Sequence, residues 1–185
     1  MPLPPPDPDR TPLHHRAIEV RGWRRRDGMF EVEATLTDTK AEPAPWVRAD
    51  GVLHHMQVRL VFDESMTVRD VVACTDASPY PVCPDAAPGL AVLKGLSMAS
   101  GWSRTVRERL GGVKGCTHLV ELLGPMATTA FQTLAPLRMA APDVLDASGR
   151  PRKIDSCQAY AAQGELVRVR WPEHHVAPPD GRAAP

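Results

Sequence analysis

From Met29 to Thr37 the chain alternates without a break, with Phe30, Val32, Ala34 and Leu36 on one parity and Glu31, Glu33, Thr35 and Thr37 on the other. A period of two means a strand with one dry and one wet face, and the dry face must be covered by another layer. A partner strand stands directly upstream. Ile18 to Arg24 is joined to it through Arg26-Asp27-Gly28, and Asp-Gly between alternating runs is a hairpin signal because these residues tolerate the turn's positive φ. Asp38-Thr39-Lys40 ends the second strand, and the stretch from Ala41 to Gly51, with two prolines, reads as a loop. Leu53 to Phe62 then puts Met56, Val58, Leu60 and Phe62 on one face, and Thr67 to Cys74 makes a fourth strand after a turn at Asp63 to Met66. Four such strands in succession predict an antiparallel sheet.

The cover comes from the second half of the chain. Three prolines in Ser78-Pro79-Tyr80-Pro81-Val82-Cys83-Pro84 stop strand pairing. Pro88 to Leu96 reads as a short helix, and Ser103 as the N-cap of another that runs to Leu110. After Gly115, Leu119, Leu122, Leu123, Met126, Ala130, Phe131 and Leu134 hold one face of a long helix, with Pro125 kinking it in phase. Leu166 to Trp171 reads as a last strand. The expected class is α+β: an antiparallel sheet of four strands packed with roughly three helices.

At 185 residues the chain fits one domain. Its prolines gather at the ends, which sets the domain at residues 16–172, with extended tails at 1–15 and 173–185 and His14, His15, His174 and His175 solvated in them. The formal net charge is zero and Trp23-Arg24-Arg25-Arg26 is the one basic run, so nucleic acid is not expected as a partner. No stretch is long and apolar enough for a membrane span or a signal peptide. A cytoplasmic protein is expected, with Cys74, Cys83, Cys116 and Cys157 reduced and therefore available for burial, metal ligation or reactivity. A homo-oligomer is compatible with all of this.

Gly115-Cys116-Thr117-His118-Leu119 is the segment richest in chemistry. Cys116 falls at the start of the long helix, where orphan N–H groups and the positive dipole end favour a negatively charged sulfur, with Lys114 and His118 two residues away on either side. A buried small cysteine with a capping histidine is the plain alternative. Cys83 stands in a proline-rigid loop where a packing cysteine is not expected. With His54 or His55 from the sheet, His55 being preferred, Cys83, Cys116 and His118 make a donor set suited to zinc or iron. Asp38 and Lys40 lie two residues apart on one strand face and read as a surface pair that could orient a substrate or a histidine. Cys74 reads as a core thiol, and Asp155-Ser156-Cys157 as a second polar cluster or a simple helix cap. No phosphate loop, paired-carboxylate signature or Gly-x-Ser-x-Gly occurs.

Asp38-Thr39-Lys40, His55-Met56, Tyr80-Pro81-Val82-Cys83, Leu93-Lys94-Gly95, Gly115-Cys116-Thr117-His118-Leu119 and Asp155-Ser156-Cys157 together resemble a bacterial family catalogued as domain of unknown function 2889, over residues 16 to 172. Where that family's His-Asp-Met element has an acidic residue, this chain has His54-His55-Met56. A more distant likeness, of layout alone, is to the iron–sulfur scaffold fold, which also leads from an antiparallel sheet through a cysteine loop to a cysteine at a helix start. The expected function is a small-molecule enzyme acting on aromatic or acyl compounds, with catalytic Cys116, His118, His55, Asp38 and Lys40 and a metal held by Cys83, Cys116, His118 and His55. A metal- or iron–sulfur-carrying accessory protein and a non-catalytic binding module are the alternatives.

Overall fold

The computed structural model describes residues 3–177, so Pro2, Pro178, Pro179 and Pro185, on which the tail assignment drew, lie outside the described residues. The chain divides into two compact units, Met1–Ala135 and Pro136–Pro185.

The first unit is the expected α+β assembly. Strands β1 (His14–Arg24), β2 (Phe30–Lys40), β3 (Val52–Phe62) and β4 (Val68–Ala77) form an antiparallel sheet in the order β1-β2-β3-β4. The first turn closes as its residues require: Gly28 takes φ 83°, and the Met29 N–H donates to the Asp27 carboxylate at 3.1 Å. β1 is longer than the alternation suggested. His14 and His15 are exposed as expected, but they lie in β1 and not in a tail: they pair with Lys40 and Thr39, because the two hairpin strands stay in register to the end of β2.

The dry rows of β2 and β3 face the helices. Val32, Leu36, Met56, Leu60 and Phe62 are wholly inaccessible, each contributing about 1.5–3 kcal/mol of burial. Helix α1 (Trp102–Leu110) contributes Trp102, Val106 and Leu110 to the same core, and α2 (Thr117–Thr133) contributes Leu119, Leu122, Leu123, Met126 and Ala130. α2 lies along β1 with its last turn over Gly22, where a Cβ would come within 1.8 Å of Thr133 Oγ1. Only glycine allows that approach. The first turn of α2 therefore comes over the opposite end of the sheet.

Several local expectations are corrected. The segment after the proline loop is a 3-10 helix, Cys83–Leu93; Pro84 and Pro88 lack the N–H groups that an α ladder would need. α1 starts at Trp102 with Gly101 at the N-cap (φ 89°), which puts Ser103 inside its first turn. Cys74 is exposed, because its parity in β4 faces away from the helices. Phe131 is half-exposed on α2.

In the second unit, where a last strand was expected, Glu165–Arg170 is helix α4. The run Leu166 to Trp171 satisfies either period, and its ends decide: Glu165 lies in the first turn, Arg168 and Arg170 lie in the last, and Arg168 pairs with Glu165. Val167 and Trp171 pack with Ile154 and Ala162 in a small core of this unit's own. Asp143 there accepts from Lys153 at 2.9 Å and from the Trp171 indole at 3.0 Å. The Asp155 carboxylate accepts the Ala162 N–H at 2.8 Å. Helix α3 (Ala135–Ala140) follows α2 directly. No helix among the described residues is long and apolar enough to cross a membrane.

Candidate functional site

On the helix-covered face of the sheet the dry row of β2 runs Phe30, Val32, Ala34, Leu36, and that of β3 runs back from Phe62 to Met56. One further step along each row the same face carries Asp38 and His54. The position opposite Asp38 on β1 is Arg16, so the cross-strand line reads Arg16, Asp38, His54. Asp38 has no exposed surface, and His54 is buried. A carboxylate so placed must be paired.

Asp38 is paired four ways. Arg16 grips it with both arms of its guanidinium, Nε to Oδ1 and Nη2 to Oδ2, each at 2.7 Å. His54 Nδ1 donates to Oδ2 at 2.9 Å, and His14 Nε2 lies 3.2 Å from Oδ1. Burial alone would push the Asp38 pKa up, but the hydrogen bonds from Arg16 and His54 outweigh it and hold the value at about 2. The carboxylate is therefore ionised at neutral pH, and it fixes the proton of His54 on Nδ1. Arg16 also reaches Glu121 on α2 through Nη1, at 2.5 Å, which ties the helix to the end of the sheet.

The first turn of α2 closes over this line. The His118 ring stacks on His54 with centroids 3.9 Å apart, and its Nε2 stands 4.0 Å from Asp38 Oδ2. Burial, reinforced by the neighbouring His54 ring and the Arg16 guanidinium, pushes the His118 pKa below the ordinary imidazole value, which favours the neutral ring. Its other nitrogen, Nδ1, lies 3.8 Å from the sulfur of Cys116, and that sulfur lies 4.0 Å from Met56 Sδ. Cys116 is the N-cap of α2 and makes no side-chain cap hydrogen bond. Among the described residues, no side chain caps the first N–H groups of the helix, which can donate to something else. From Cys116 through His118 to Asp38 the groups run from half-exposed to fully buried, the order expected when the reactive end meets solvent and the anchor does not.

Of the residues singled out in the sequence, Cys116, His118 and Asp38 come together. His55 stands on the opposite face of the sheet, with its Nδ1 2.9 Å from an exposed Asp76 carboxylate. Lys40 is half-buried at the end of β2, and its backbone N–H donates to Gly51. Cys83 opens the 3-10 helix, half-buried. Among the described residues, the group of three ligating side chains with donor atoms within 4.8 Å of one another is Asp38, His54 and His118, which includes neither Cys83 nor His55. Arg16 and Glu121 carry no signal in the sequence, His14 reads there as a tail residue, and His54 reads as the alternative to His55 in the donor set. A signal for His54 was present: it shares the parity of Met56 and Val58. Arg16 and His14 become visible only once β1 is known to extend to His14.

The sheet, its covering helix and this buried charged line define an α+β protein with a Cys/His/Asp centre at one end of the core. A family model described as Protein of unknown function (DUF2889) matches residues 14–132, from the first residue of β1 to the last turn of α2, and the chain belongs to that family. No curated protein and no solved structure matches it, so the likeness of layout to the iron–sulfur scaffold fold finds no structural counterpart.

Proposed function

We propose that this protein is a small-molecule enzyme in which Cys116 is the nucleophile, His118 its base, and Asp38 the anchored carboxylate behind the base. The observation that carries this reading is the line Cys116 Sγ to His118 Nδ1 at 3.8 Å and His118 Nε2 to Asp38 Oδ2 at 4.0 Å, the order of nucleophile, base and orienting group. Such contacts are commonly loose without substrate and tighten when it binds. A neutral His118 accepts the thiol proton at Nδ1 while its Nε2–H points at Asp38.

Acyl transfer is the reaction class these parts suit. The Cys116 sulfur attacks the carbonyl carbon of an ester or thioester, and its proton passes to His118. The oxyanion meets the uncapped N–H groups of α2. It collapses, and the leaving alcohol or thiol takes the proton from His118. Water deprotonated by His118 then cleaves the acyl–sulfur bond, releasing the carboxylic acid and restoring the thiol.

A second reading has its own observation. Two imidazoles and a carboxylate with donor atoms within 4.8 Å of one another are a set that zinc or iron accepts. Against it, both oxygens of Asp38 already meet donors, two of them from a permanently charged guanidinium that would repel a dication.

Iodoacetamide labelling of the full, tag-free chain separates the readings. Cys74 and Cys157 are exposed and serve as internal references. The proposal expects the half-buried Cys116 to label faster than both, to lose that excess in His118→Gln, and to carry an acyl adduct, seen by mass spectrometry, after exposure to activated esters and thioesters. Labelling of Cys116 no faster than Cys157 would overturn it. A stoichiometric metal that chelation removes would favour the second reading.

A further inference from the structure

Between α1 and α2 lies a recess of about 230 Å³, lined by the apolar Trp102, Val106 and Val120 and by the polar Ser103, Arg107 and Glu121. It is smaller than the roughly 300–1,000 Å³ of sites for drug-sized ligands, so it suits a single ring or a short acyl chain. Trp102 and Val106 are the buried residues of this lining and so its floor, and the Trp102 indole N–H is already satisfied by the Leu123 carbonyl at 2.9 Å. The floor therefore offers van der Waals contact and no free donor. Gly124 also lines the recess, and outside its own helix backbone a Cβ there would meet nothing within 4 Å.

The charges at the rim are unequal. Glu121 is paired with Arg16. Among the described residues, no hydrogen bond or ion pair engages the Arg107 guanidinium. An apolar floor beside one uncommitted guanidinium selects an apolar molecule bearing a carboxylate, which that group binds through two parallel hydrogen bonds. The recess is linked to the charged line through Glu121, which lines it and pairs with Arg16, and which stands three residues, just under one helical turn, beyond His118 on α2.

We infer that this recess binds a compact apolar carboxylic acid, aromatic or branched, with the carboxylate on Arg107 and the apolar body against Trp102 and Val106. Calling that molecule the released product rests on Cys116 and His118 being the reactive centre; calling it a ligand does not.

The test uses the full chain and benzoate as probe, followed by amide and indole shifts in nitrogen–proton spectra. Benzoate is expected to shift Trp102 Nε1–H, Val106 and Val120 saturably, with benzyl alcohol weaker and benzylamine weakest. Arg107→Gln should weaken benzoate about tenfold and leave benzyl alcohol unchanged. Gly124→Leu should abolish binding of both at an unchanged melting temperature; if the residue before Pro125 does not tolerate leucine, Ser103→Leu fills the recess from α1 instead. Absence of saturable shifts with benzoate, or equal binding of benzylamine, would overturn the inference. Cys116→Ser should leave benzoate binding intact, so failure of the reactive-centre reading and failure of this one are seen separately.

Discussion

One face of one sheet has two opposite ends. At the far end Phe30 and Phe62 face each other with ring centroids 5.8 Å apart, Val32 and Leu60 are sealed, and Gly22 lets the last turn of α2 press onto β1. At the near end the same rows, on the same parity, carry Arg16, Asp38 and His54, closed by the first turn of the same helix. The contrast shows how a polar centre is kept rigid. The apolar end supplies the stability, and the polar end is specified by mutual pairing: each buried charge has its partner, and α2 is tied to the sheet by Arg16 and Glu121.

The largest loss of stability is expected at the apolar end. Phe62→Ala should cost about 3–5 kcal/mol in urea unfolding while leaving Cys116 labelling unchanged in the remaining folded protein. A cost under about 1 kcal/mol would mean that the sheet is not anchored there.

At the polar end Asp38→Asn leaves Arg16 without its counter-charge and His54 without its acceptor. Because Arg16 is one-third exposed, the cost should be about 2–3 kcal/mol, below that of breaking a fully buried pair. It should also slow Cys116 labelling. Its pH dependence has a definite sign. The folded pKa of about 2 lies below the ordinary 3.8, so the stabilisation is complete above about pH 4 and is lost as the pH falls through 2. The stability gap between wild type and Asp38→Asn should therefore narrow on acidification, as read by urea titrations across that window; a gap that widened would show that another group controls the region.

Cys116→Ser sharpens the distinction between support and chemistry. It should change stability by about 1 kcal/mol or less, yet remove acyl-adduct formation entirely. Loss of fold instead would make Cys116 a packing residue against Met56.

The smallest effect is expected from His55→Ala, on the outer face beside an exposed Asp76: within about 0.5 kcal/mol by thermal melting, with labelling of Cys116 intact. A loss of labelling here would mean that the two faces of the sheet communicate.

The sequence alone determined the strands and the dry face, because a period of two leaves a strand no choice of side once one residue is placed. It also marked Cys116 as the start of the long helix, since Gly115 precedes an unbroken helical stripe. The same period carries Asp38 onto the face of Leu36 and His54 onto the face of Met56, but a local pattern does not say that those positions are sealed. A carboxylate after four buried apolar residues looks like a strand end, and becomes a buried anchor only when β1 extends to His14 and α2 closes over it. Cys83 illustrates the reverse: a proline-rigid loop made it look like a ligand, and the chain path sets it at the start of a separate 3-10 helix. Leu166 to Trp171 is a third case, compatible with both periods and decided by the charges at its ends. Alternation and helix starts are written in neighbouring residues. Partners 16 and 22 residues apart, such as His54 and Arg16 on Asp38, are decided by register and by which helix end crosses the sheet, and only the tertiary structure holds that information.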